Sequence, residues 1–289
     1  MKILMVAVFN NQSTNNSQAR GFENNGCSVL QYNYRQRGTD IGNEQRDSEI
    51  INICNSEKPN LVFFSKCNDV NIRVIKECNK ITKTVLWYMD PFNKNFDNGL
   101  REKIKYSNYT FCALTESFKE AKKINPETVF FLQEGFDEKV NYPMNIPYTN
   151  DVSFIGALRN ERMDYYNALQ FKVYNNAFNE EHSKAVSETK INLNFTEGGT
   201  SDRTYKVLAS KGFLLTQPWA GMESDFEIDK DLVIFQTIAE LRLKINFYLR
   251  NEKERLKIAA QGWKTVQKFN RTNFARKIIE ISFNNAIKI

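Results

Sequence analysis

Histidine is the scarcest ionisable residue in this chain: 289 residues contain one, His182. A Ser-His-Asp triad and most zinc centres depend on imidazole, so both are removed from consideration. His182 lies in the polar segment EEHSK and reads as a surface residue. Cysteine is also sparse. Cys27, Cys54, Cys67, Cys78 and Cys112 are odd in number, confined to the first 112 residues, and without C-x-x-C spacing. That excludes a disulfide framework and a cysteine-held metal, and it predicts free thiols in a reducing cytoplasm. No apolar run reaches the roughly 18 residues of a membrane span. The opening MKILMVAVF gives way to NNQSTNNS too early for an export signal and predicts a buried first strand. The first strand–helix loop lacks G-x-G-x-x-G, so a dinucleotide site in the first half is not supported.

What is present is an ordinary soluble composition, 41% hydrophobic and 26% charged, with a formal net charge of +6 and a pI near 8.9. The excess of cations suits an acidic ligand or a nucleic-acid acceptor, and it suits a mixed, slightly basic surface equally. Short apolar runs alternate with helical spacing along the first half. Strands are predicted at 2–9, 28–34, 60–65, 84–89, 109–114 and 129–132, with helices at 17–25, 44–56, 70–79, 100–106 and 117–123. Between 133 and 150 the period breaks, two prolines appear, and an interdomain linker is expected. The rhythm then resumes. Strands are expected at 151–155, 171–174, 190–195, 212–216 and 231–235, helices at 162–170, 179–189, 204–210, 238–250, 252–269 and 272–286. Strands alternating with helices predict an α/β chain of two doubly wound, Rossmann-like domains, 1–140 and 150–270, facing a cleft. The terminal segment 271–289 is a helix with the option of packing back on the first domain.

The second half carries motifs in a specific order. These are DVSFIGALRNER (151–162), KINLNF (190–195), RTYKVLASKGFLLT (203–216), AGMESDF (220–226) and IAELRLKINFYLRNEKERLKIAAQG (238–262). They resemble the C-terminal domain of GT-B glycosyltransferases, and in particular the CgeB-like (spore-maturation protein B) branch of the group 1 transferases. The likeness covers roughly the last 130 residues. The first half matches by architecture and by WYMD at 87–90. The resemblance implies a nucleotide-sugar donor held by the second domain, an acceptor held by the first, and no obligatory metal or cofactor. Basic side chains and backbone N–H groups would take the metal's place at the leaving diphosphate.

The candidate site residues follow. Gly156 ends a strand and lets backbone approach a phosphate, ahead of Arg159 and Arg162, which form bidentate pairs with phosphate or stay solvated. The resemblance puts Arg162 where relatives carry a diphosphate-binding lysine. Arg203 opens the central helix beside the capping candidates Ser201 and Thr204, where the helix dipole favours an anion. Lys206 departs from the family, which places a ribose-binding glutamate there. A lysine accepts no hydrogen bond, and it either meets phosphate or faces solvent. Glu197, near the family's other glutamate, lacks its spacing. Thr216, Gln217, Trp219 and Glu223 follow a strand and suit base or sugar recognition; Trp219 either stacks on a base or packs at an edge. On the acceptor side, Asp90 ends the fourth strand as general base or turn former. Asn10, Asn11 and Ser13 line the first loop. Asp229-x-Asp231 reads as turn chemistry rather than a metal site. A non-catalytic nucleotide-binding protein on the same scaffold, and acceptors ranging from polysaccharide to modified DNA, stay open at this stage.

Overall fold

The computed structural model describes residues 1–92, 99–196 and 199–283. The chain forms two compact units: Met1–Gln133 together with the chain from Arg271 onward, and Glu134–Asn270.

The first unit is built on six parallel strands: β1 (Lys2–Ala7), β2 (Ser28–Asn33), β3 (Leu61–Ser65), β4 (Lys83–Tyr88), β5 (Tyr109–Cys112) and β6 (Val129–Phe131), in the order β2-β1-β3-β4-β5-β6. Successive residues of β1 bury into opposite faces, Leu4 and Val6 on one side, Ile3, Met5 and Ala7 on the other. That is why these strands are continuously apolar rather than alternating. The helices covering the faces are α1 (Asn15–Asn24), α2 (Tyr34–Ile41), α3 (Asn43–Glu57), α4 (Ile72–Asn79), α5 (Arg101–Tyr106) and α6 (Thr115–Ile124). Helix α2 was not predicted. It buries only Tyr34 and carries Gly38, so it shows no apolar period; Asn33 caps it through Gln36 N.

The second unit holds five parallel strands: β7 (Asn150–Ile155), β8 (Lys172–Tyr174), β9 (Thr189–Asn194), β10 (Leu214–Thr216) and β11 (Val233–Ile234), ordered β11-β10-β9-β7-β8. Around them lie α7 (Glu161–Leu169), α8 (Glu180–Ser187), α9 (Asp202–Ala209), α10 (Ile238–Arg250) and α11 (Glu252–Val266). The stretch read as a linker belongs to this unit. Phe136 and Asp137 are buried, and Phe136 pairs with Asn270. Helix α12 (Arg271–Phe283) then packs on α1 of the first unit. Phe274 meets Trp87 edge-on at 4.8 Å, and a Cβ on Gly21 would stand 2.2 Å from the Arg271 carbonyl oxygen. Only glycine lets those two helices approach so closely. All five cysteines are buried free thiols. No described helix is long and apolar enough to cross a membrane.

Candidate functional site

In the second sheet the strand order reverses between β7 and β9. The chain leaves β7 for β8 on one side and returns to β9 on the other. Open parallel sheets bind ligands beyond the carboxyl ends of strands at such a point. Arg203, in the first turn of α9, spans it. Its Nε donates to the Ile155 carbonyl at the end of β7 (2.5 Å), and its Nη1 to Asn194 Oδ1 at the end of β9 (2.8 Å). The guanidinium lies 4.7 Å from the Phe154 ring centroid, and Arg162 lies 5.5 Å from the same ring. Gly156 completes the group. Its φ of +143° disfavours any L side chain, and a Cβ there would stand 2.8 Å from Arg203 Nη2. Gly156, Arg162 and Arg203 therefore gather on one aromatic ring, while Arg159 is exposed on the loop before α7.

Other second-half candidates sit differently. Ser201 occupies the N-cap position of α9 but makes no side-chain cap bond, and the Thr204 hydroxyl faces Asn194 Nδ2 at 3.2 Å instead. The Lys206 ammonium is neither on solvent alone nor offered outward: it pairs with Asp202 at 2.6 Å along the helix. Thr216 is fully buried, donating to the Gln217 carbonyl and accepting from Asn194, so its hydroxyl braces the strand ends. Gln217 accepts from Thr196 N at 2.9 Å and donates to Glu161 at 3.3 Å. Trp219 packs edge-on against Phe226 at 6.3 Å, half-buried on the core, and Glu223 is exposed. Asp231 accepts from Glu227 N within its own turn and from the Thr265 hydroxyl of α11. Glu197 lies outside the described residues.

His182 corrects the sequence reading. It is buried rather than superficial, and neither ring nitrogen has a hydrogen-bond partner. Burial, reinforced by the nearby Lys206 and Arg203 cations, pushes its pKa down to about 3, so the ring is neutral. The polar residues flanking it hid this, because α8 turns the histidine with Ala185 and Val186 onto the sheet.

In the first sheet the order reverses between β1 and β3. Asn10, Asn11 and Ser13 form the loop after β1. The Asn10 side chain accepts from Gln12 N at 3.0 Å, and the Ser13 hydroxyl donates to the Val8 carbonyl at 2.7 Å, so the loop is internally tied. At the end of β3, Lys66 and Cys67 both adopt left-handed φ, +67° and +50°. Two buried cations hold that bend. Lys103 donates to the Cys67 and Asn68 carbonyls at 2.7 Å each, and Arg46 grips the Asp69 carboxylate at 2.9 Å and its carbonyl at 2.8 Å. The bend delivers the Lys66 ammonium to the Asp90 carboxylate at the end of β4. Nothing in the local sequence marked Lys66; the partnership is long-range. Among the described residues no three histidine, cysteine or acidic side chains cluster as metal ligands.

Comparison with solved structures settles the architecture. HepE of Anabaena bound to UDP-glucose superposes with a TM-score of 0.71 over 97% of this chain and 98% of its own, at 9% identity. The fold is GT-B. A glycosyltransferase from Rickettsia africae shares this GT-B fold (TM-score 0.69, 11% identity, 97% of each chain). So does sucrose-phosphate synthase from Thermosynechococcus elongatus (TM-score 0.68, 10% identity, 97% of this chain and 98% of that one). Residues 148–279 match the family model described as glycosyl transferase-like. Comparison with curated protein sequences finds no match.

Proposed function

We propose that this chain is a glycosyltransferase, of the CgeB-like branch, that moves a sugar from a nucleotide-diphosphate donor to an acceptor hydroxyl without an obligatory metal. The observation that carries the reading is Arg203, tied to both strand ends at the reversal point of the second sheet and facing Gly156. A fixed guanidinium beside a residue without a side chain accommodates a diphosphate and stabilises the charge it gains as the glycosidic C–O bond breaks. Arg162 supports it across Phe154. The new bond forms from the acceptor oxygen to the same carbon, and the acceptor proton passes to Asp90, whose carboxylate Lys66 orients. UDP-glucose is the first donor to test, being the ligand held by HepE.

The Lys206–Asp202 pair favours one second reading, nucleotide-sugar binding without turnover, since no carboxylate stands at position 206 to hold a ribose. One experiment separates the two. Under the transferase reading, UDP-glucose raises the melting temperature and UDP is released over hours. A ligand at 100 times its Kd stabilises by about 2.7 kcal/mol. Stabilisation without UDP release leaves the binder. No stabilisation by UDP-, GDP-, ADP- or dTDP-sugars sinks both.

A further inference from the structure

We propose that the second unit carries a separate binding site for a small acidic amphiphile, a carboxylate or phosphate ester on an apolar body. A cavity of about 290 Å³ lies where β9 and β10 begin, between those strand starts, α11 and the 143–148 segment. Strand β9 is six residues long, so this cavity and the Arg203 group sit at opposite ends of the sheet, roughly 16 Å apart at the strand rise. The inference therefore stands whether or not the chain is a transferase.

The lining has a definite chemistry. Lys190, Lys211 and Arg255 contribute to it, and no aspartate or glutamate does among the described residues. Lys190 is shared with Asp151 at 2.7 Å and Arg255 with Glu252 at 3.1 Å, both acids outside the lining. Lys211 makes no ion pair among the described residues; its ammonium lies 5.8 Å from the Trp263 ring. Arg255 is 1% exposed. Its Nη1 donates to the Tyr248 carbonyl at 2.7 Å, while its Nε has no acceptor. The cationic share of the lining open to a ligand therefore rests chiefly on Lys211, with Lys190 and Arg255 beside it. Phe213, Leu256 and Tyr148 supply the apolar wall, the last two partly exposed. Gly212, beside the cavity, is fixed by close packing: a Cβ there would meet Val186 Cγ1 at 2.5 Å and Asn192 Nδ2 at 2.9 Å. Cations without carboxylates beside an apolar wall select an anion with a hydrophobic body, and a volume at the lower end of the ligand-pocket range selects a small one.

The test is calorimetric titration of the full chain with phenyl phosphate, benzyl alcohol as the neutral control, and inorganic phosphate as the headgroup alone. Phenyl phosphate should bind saturably with a Kd of about 1 mM or tighter, and the two controls at least about tenfold more weakly. Dihexanoyl phosphatidic acid alongside distinguishes a lipid source from a soluble ester by which of the two binds more tightly. Lys211→Gln should weaken phenyl phosphate about tenfold, and Ala260→Trp should occlude the cavity and abolish binding, each leaving the melting temperature and any UDP-glucose affinity unchanged. Absence of saturable binding, equal binding of benzyl alcohol, indifference to both substitutions, or displacement by UDP-glucose would each overturn the proposal.

Discussion

Arg203 is held by two hydrogen bonds, so its replacement has a structural and a chemical part that different substitutions separate. Arg203→Lys keeps a charge but cannot span both strand ends, and should weaken UDP-glucose binding about tenfold or more. Gly156→Ala should do the same from the other side, because alanine at φ +143° is strained by about 1–3 kcal/mol and its Cβ displaces the guanidinium. Calorimetry on both variants, with melting curves lacking ligand as the baseline, checks this. Unchanged affinity in both would remove Arg203 from the site. His182 makes a prediction about pH. Its folded pKa is about 3 against roughly 6.5 unfolded, so below pH 6.5 the unfolded chain takes up a proton that the fold refuses. Stability is complete above that pH and falls by about 1.4 kcal/mol per unit as pH drops toward the folded value. His182→Leu should flatten melting temperature between pH 6.5 and 5. An unaltered slope would show that other groups set it.

At the scale of elements, the bend after β3 asks most of the surrounding structure. Two consecutive non-glycine residues with left-handed φ are unfavourable, and two cations are buried to hold them. Burial pushes the Lys103 pKa down, yet its two short bonds to carbonyls keep the bend shaped. Lys103→Met leaves the Cys67 and Asn68 carbonyls without that donor and should cost about 1–3 kcal/mol in denaturant unfolding. It should also lower turnover by loosening Lys66 from Asp90; a variant with normal stability and turnover would show the bend does not depend on this lysine. The strands around it were legible because a parallel strand buried on both faces is a bare apolar run. Helix α2 was not, since one buried residue and a glycine give no period to read.

For the molecule as a whole, the chain leaves the first unit at Gln133 and comes back to it at Arg271. The return is structural rather than ornamental: Phe274, Ala275 and Ile278 complete the cluster around Phe63 and Trp87. Burying a phenylalanine and an isoleucine contributes about 1.5–3 kcal/mol each, more than a marginal unit can lose easily. A chain ending at Asn270 should therefore lose cooperative unfolding of the first unit while the second retains its own transition by calorimetry. Retention of both transitions would show that α12 is dispensable.

Local pattern decided a good deal by itself. Apolar runs separated by helical spacing are set by backbone geometry and burial on two faces, and they determined the α/β class and the position of every strand in both sheets. Gly156 and Arg203 could be named because each stands at a strand end or helix start, where a ligand has room. The Lys206–Asp202 pair, spaced i,i+4 on α9, was open to a local reading of the helix face. The Lys66–Asp90 pair and the burial of His182 were decided only in three dimensions. Each depends on which helix face meets the sheet or which strands become neighbours, and those are long-range contacts that no window of sequence contains.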